Sequence, residues 1–247
     1  MNLLIDVGNT AIKIGKSENN SFTFLTRFYT KEYDSKFLAS IKKEVNDVKS
    51  IFVSSVIPNF NKKLEKDLYK IYNLKPVFVN PNMTSDIKIL IDKKEELGAD
   101  LFCDLIAAKS IYGDNVAIID LGTASKVLFL KDNVFDCCAI FLGYKGSLKA
   151  LAEKTALIPD VDLNSIKKIS DCHNTVDVIT ASAYYSQLDT INGIISRYEK
   201  EKNCSLKRVF TGGNAAYFVK NGDLLDEYLP LKGLAILSER NLQHEEN

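Results

Sequence analysis

An excess of charge of either sign is missing: lysine plus arginine and aspartate plus glutamate each number 32, so the formal net charge of the 247-residue chain is zero. A general binder of nucleic acid carries a basic surplus, so no nucleic-acid partner is expected. No run reaches the roughly 18 apolar residues that span a bilayer, and no membrane partner is expected either. Nor does the start resemble a signal peptide: residues 2–6 enter a strand pattern at once and end on Asp6, so the expected location is cytoplasmic. Cysteine is sparse and unpatterned. Cys103, Cys137, Cys138, Cys172 and Cys204 are odd in number, form no CxxC pair, and have only His173 and His244 to join them. That argues against a zinc cluster and for reduced thiols. Low-complexity segments and long linkers are absent as well.

What is there is an ordinary globular composition, 46% hydrophobic and 26% charged, in a chain long enough for two modest domains or one large one. One pattern occurs twice. NLLIDVGNTAIK (2–13) and VAIIDLGTASK (116–126) each run an aliphatic strand into an aspartate, one further aliphatic residue, a glycine and a hydroxyl. Between and after them, the periodicity predicts a hairpin or short meander through Ile12, Ile14, Phe22 and Phe24. Helices are expected over 35–48, 61–72 and 98–113, with strands over 50–57 and 75–80. In the second half strands are expected over 116–120, 126–130 and, more weakly, 135–141. Helices are expected over 145–157, over 174–200 as one piece or two, after the strand and double glycine of 208–216, and over 229–240. The implied organisation is an N-terminal half, 1–115, a C-terminal half, 116–241, and a disordered tail, 242–247.

A strand ending in Asp-x-Gly followed by hydroxyls suits phosphate. Glycine admits backbone N–H groups to the phosphate oxygens, hydroxyls add donors, and the strand-end carboxylate can hold Mg²⁺. One such turn is weak evidence; two, in equivalent places of two halves, are stronger. A third glycine element, Gly212-Gly213, can let a nucleotide base or ribose come close to the backbone. This layout resembles the actin, sugar-kinase and Hsp70 nucleotide-binding fold, α/β in class, with two mixed-sheet domains and a cleft between them.

Collinear segments narrow the resemblance. DVGNT (6–10), LGAD (97–100), DLGTAS (120–125), KALAEKTALIP (149–159), HNT (173–175), FTGGNA (210–215) and LKGL (231–234) together resemble the type III pantothenate kinase family, which includes Bvg accessory factor-like proteins. The resemblance implies transfer of the ATP γ-phosphoryl group to pantothenate, giving 4′-phosphopantothenate, the first step of coenzyme A biosynthesis. By the same resemblance Asp100 is the general base, Asp6 organises Mg²⁺, and Gly8, Asn9 and Thr10 cradle the terminal phosphates, with Lys13 matching a lysine of one branch. Gly122 and Thr123 belong to the second phosphate loop, and Asp120 lies near a monovalent-cation site for K⁺ or NH₄⁺. Gly98 and Thr175 belong to the pantothenate side, the latter across a homodimer interface. Simpler structural roles exist too: Asp100 favours a helix N-terminus, and Thr175 suits a cap or first turn.

The chain departs from the family pattern on one side. Leu101 stands where the family has the arginine that binds the substrate carboxylate, Ile91 where many members have tyrosine, and Lys94 where they have proline. Cys137-Cys138 replaces a Gly-Gly pair, Leu142 a proline, and Lys126 a small hydroxyl residue. Lys93, Lys94 and Lys126 are the sequence-level candidates for a replacement cation. These departures leave two alternatives open: a homologue that binds nucleotide or dimerises without catalysis, in a regulatory role, and a kinase for another small alcohol.

Overall fold

The computed structural model describes residues 1–19, 21–45, 47–83, 85–161 and 166–245. The chain divides into two units, one built from Met1–Asp114, Asp132–Asp136 and the segment from Tyr228 on, the other from Asn115–Lys131 and Cys137–Glu227.

In the first unit, strands β1 (Asn2–Val7) and β2 (Ala11–Glu18) pair antiparallel across the Gly8 turn, and β3 (Ser21–Tyr29) continues outward. Helix α1 (Ser35–Glu44) follows, its first turn capped by the Asp34 carboxylate, which accepts from the Lys36 N–H at 3.0 Å. Strand β4 (Ser50–Ser55) lies parallel to β1, and β5 (Val77–Phe78) completes the order β3-β2-β1-β4-β5. Between them α2 (Pro58–Tyr72) starts earlier than its apolar spacing suggests, with Pro58 in the first turn, where a missing N–H costs nothing.

Strand alternation sorts the faces of this sheet. Leu3, Ile5 and Val7 pack with Leu38 and Ile41 of α1 and Leu64 and Leu68 of α2. The intervening residues Asn2, Leu4 and Asp6 turn the other way, toward α3 (Ala99–Tyr112) and α6 (Leu229–Glu245). There the Asn2 side-chain amide donates to the Ser238 hydroxyl of α6 at 3.0 Å. Helix α3 is buried from Leu101 to Ala108 and stops at Gly113, whose φ of 104° ends the helix cleanly. Helices α3 and α6 touch backbone to side at Gly233, where a Cβ would run into the carbonyl oxygen of Cys103.

The second unit repeats the plan. Its strands are β7 (Val116–Leu121), β8 (Ala124–Lys131), β9 (Val134–Leu142), β10 (Lys207–Thr211) and β11 (Leu224–Leu225). Their order, β11-β10-β7-β8-β9, matches the first sheet position for position. The first residues of β9 belong to the first unit and pair with a two-residue strand, β6 (Lys88–Ile89), that the sequence pattern does not mark. Helix α4 (Tyr144–Lys154) stops short of the expected 157. Helix α5 (Thr175–Lys202) runs as a single piece, and its Tyr198 stacks on Phe129 at 4.0 Å in the core. After Gly212-Gly213 the expected helix is one 3₁₀ turn, Ala215–Tyr217. Because α6 reaches Glu245, only 246–247 of the expected tail remain, and they lie outside the described residues.

Candidate functional site

Strand register builds the same row of side chains in each unit. In the first, Ser54 on β4, Asp6 on β1 and Lys13 on β2 stand opposite one another; in the second, Thr211 on β10, Asp120 on β7 and Lys126 on β8 do. Both hydroxyl residues are fully buried, both aspartates are the last residue but one of their strands, and both lysines sit on the returning strand. Ser54 and Thr211 were missed in the sequence because their position depends on a parallel partner distant in the chain.

The Asp6 loop is tied down from behind. The Gly8 N–H donates to the Ala11 carbonyl at 3.0 Å, and the Thr30 hydroxyl donates to the Gly8 carbonyl at 2.6 Å. Asn9 and Thr10 remain exposed at its tip, Lys13 is half-buried, and Asp6 is 7% exposed. Asp100 lies in the first turn of α3, after Gly98, half-buried, with its carboxylate accepting from the Leu101 N–H at 2.8 Å. One thiol reports how these acids gather. Burial, then the negative charges of Asp6, Asp104 and Asp100, push the Cys103 thiol well above its ordinary value, and the neighbouring Ser54 hydroxyl pulls it partly back. Two of the sequence candidates, Asp6 and Asp100, therefore act on one neighbourhood of the first unit. Cys103 and Asp104 enter it unannounced by any motif.

A cavity of about 340 Å³ opens beside this helix start, lined by Gly98 and Ala99, by Ser55 and Val56, and by Asn80 and Pro81. Leu101, the residue after Asp100 in the first turn of α3, is 6% exposed. Of the candidate replacement cations, Lys93 pairs at the surface with Glu96 at 3.1 Å, and Lys126 is held by Asp120.

The Asp120 loop is braced from three sides. Lys126 Nζ lies 2.8 Å from Asp120 Oδ2. The Asn214 N–H donates to the Leu121 carbonyl at 2.9 Å and its side-chain amide to the Gly122 carbonyl at 3.2 Å. The Gln187 amide of α5 donates to the buried Ser125 hydroxyl at 2.8 Å. Gly212 has a φ of 91°, and a Cβ on it would stand 2.5 Å from Asp120 Oδ1 and 2.7 Å from the Leu121 nitrogen. So glycine is required there both for conformation and for room. Thr123 and Gly213 face solvent. Thr175 opens α5, exposed, behind the Asn174 cap, whose side chain accepts from the Asp177 N–H at 3.0 Å. The neighbouring Lys167–Asp177 pair, 2.7 Å apart, raises the lysine and lowers the aspartate from their ordinary values, chiefly through their mutual hydrogen bond.

Two like-ordered α/β units, each with an Asp-x-Gly loop, and an acid at the head of a helix define a phosphotransferase of the actin-like fold. A family model described as type III pantothenate kinase matches residues 2–197. The chain belongs to that family. The type III pantothenate kinase of Petrotoga mobilis is 32% identical over 255 residues, covering 97% of this chain and 98% of the relative. That of Listeria monocytogenes serovar 1/2a is 30% identical over 254 residues, covering 98% of each. Among solved structures, a Baf-family protein from Campylobacter jejuni superposes with a TM-score of 0.56 at 18% identity, covering 98% of this chain and 99% of that one, a likeness of fold.

Proposed function

We propose that this chain transfers the γ-phosphoryl group of ATP to the primary hydroxyl of pantothenate, giving 4′-phosphopantothenate at the start of coenzyme A biosynthesis. The observation that carries the reading is the repeated hydroxyl–aspartate–lysine row beneath two glycine loops, in a chain of this family. Phosphoryl transfer asks a protein mainly for positioning and charge neutralisation. The half-buried Asp100 carboxylate accepts the hydrogen of the attacking hydroxyl and orients it, and Gly98 leaves the neighbouring cavity open to the rest of the acceptor. Exposed Asn9 and Thr10, with Gly8 and Lys13, bind the terminal phosphates. In the second unit Gly122 and Thr123 form the corresponding phosphate loop, and Gly212 and Gly213 leave its backbone open to a nucleoside.

Among the described residues no three His, Cys, Asp or Glu side chains enclose a metal by themselves. Mg²⁺ needs no such cage, because one or two carboxylates, phosphate oxygens and water complete its shell. The donor set fits it: Asp6 is a hard oxygen ligand at a strand end, in a neighbourhood where the charges of Asp100 and Asp104 also converge. When bound, Mg²⁺ offsets phosphate charge. A monovalent ion, K⁺ or NH₄⁺, enters only if the Asp120 carboxylate has a face free for it.

A homodimer is part of the reading. The second unit exposes Leu157, Ile169, Val176 and Val178, the last two flanking Asp177 on the first turn of α5, and such side chains suit a second copy better than water. Thr175 then meets pantothenate from the partner. The buried Leu101 favours a second reading, nucleotide binding without turnover, because a leucine cannot hold the substrate carboxylate as arginine does. ADP release with ATP and Mg²⁺, measured with and without pantothenate, separates the two. Release that depends on pantothenate supports the first, and ATP binding with no release on pantothenate or related alcohols supports the second.

A further inference from the structure

Asp120 is already paired with a cation, in a crowded place. Its Oδ1 lies under the Gly212 backbone, where even a methyl group would stand 2.5 Å away, and its Oδ2 is held by Lys126 Nζ at 2.8 Å. This pair is recessed, with side chains 19% and 14% exposed for the lysine and the aspartate. Lys126 reaches Asp120 from the directly opposite position on β8, so the backbone register sets the contact, and a flexible surface arm is not needed. A lysine ammonium is a compact point charge with three donors, close in charge and hydrogen bonding to NH₄⁺. A second cation beside it would be repelled, and at this depth water and salt screen the repulsion poorly. The donor set therefore does not suit K⁺ or NH₄⁺ at Asp120.

We propose that the Lys126 ammonium is a tethered monovalent cation. It balances and fixes Asp120 beneath the Gly122–Thr123 loop, so that turnover needs no added K⁺ or NH₄⁺. The proposal also removes Lys126 from the candidates for the substrate carboxylate, since its charge is already committed. It rests on the kinase reading above, and its test has an arm independent of that reading.

ADP release from ATP, Mg²⁺ and pantothenate is measured in buffers whose only monovalent cation is tetramethylammonium, then titrated with KCl or NH₄Cl. The wild-type rate is expected to change by less than about twofold, while Lys126→Ala is expected to be slow without the ions and to rise by about tenfold or more with them. In parallel, thermal melting is followed with KCl against tetramethylammonium chloride. KCl is expected to leave the wild type unmoved and to stabilise Lys126→Ala, whose carboxylate then binds the ion. A wild type that is silent in tetramethylammonium and restored by KCl overturns the proposal, as does a wild-type melting point raised specifically by KCl. If no pantothenate-dependent release is seen under any salt, the kinase reading fails, and melting alone decides the proposal. Should Lys126→Ala not fold, the wild-type arms carry the decision in the same way.

Discussion

Asp6 and Asp120 sit at equivalent places, yet their neighbours give them different work. The charges of Asp6, Asp100 and Asp104 all act on Cys103, whereas Asp120 is paired with Lys126 and crowded by Gly212. The equivalence itself was readable from Asp-x-Gly occurring twice. The difference was not, because it is set by α3, which brings its own acids, and by the register that places Lys126 opposite Asp120. Gly212→Ala would force a Cβ against Asp120 Oδ1 and the Leu121 nitrogen at a φ of 91°, and is expected to cost about 1–3 kcal/mol, read as a lower denaturation midpoint with an unchanged slope. Cys103 gives a second residue-level expectation. Its thiol is fully buried and pushed well above the ordinary 9.0, so in the folded protein it should resist alkylation while the exposed Cys137 is labelled. The sign of the linkage follows: the folded state holds this proton more tightly than the unfolded chain, so the associated stability is present below 9.0 and is lost as pH rises through the folded value. Equilibrium unfolding of wild type against Cys103→Ala should show the alkaline loss shrinking in the variant.

At the scale of elements, the long and strongly periodic pieces were visible and the partnerships were not. The apolar spacing in GADLFCDLIAAKSIYG announced α3, and Gly113 announced its end. Nothing in LPLKGLAILSER says that α6 returns to the first unit, because a helix pattern gives a buried face without naming what covers it. Its one clue is Gly233, which is expensive in a helix interior unless another backbone comes close. Here it does, at Cys103. Gly233→Ala must push α6 off α3, and is expected to cost about 1–3 kcal/mol, seen by calorimetry as a melting point lowered by roughly 2–4 °C for each kcal/mol. The short pieces failed for a related reason. Strand β6 has two residues and exists because β9 offers it an edge, and the 3₁₀ turn after Gly212-Gly213 takes the place of a helix because Asn214 is already bonded back to Leu121 and Gly122.

For the whole molecule, the two sheets share one strand order, so the duplication extends beyond the two loops that first suggested it. Under the proposed reading, the residues that differ from the resemblance, Ile91, Leu101 and Cys137-Cys138, belong to the acceptor side, and DVGNT, DLGTAS and FTGGNA to the nucleotide side. A dimer joined through the exposed apolar side chains of the second unit should scatter light as twice the 27.6 kDa chain, and Val178→Asp should bring that mass down to one chain. The central claim is that pantothenate is phosphorylated here with Asp100 on its hydroxyl, and product analysis by mass spectrometry tests it most directly. With ATP and Mg²⁺ the wild type should add one phosphoryl group to pantothenate, and Asp100→Asn should lower kcat by about 10²–10⁴ while leaving ATP binding unchanged. Phosphopantothenate formed by Asp100→Asn at the wild-type rate, or none formed by a wild type that binds both substrates, would contradict the account.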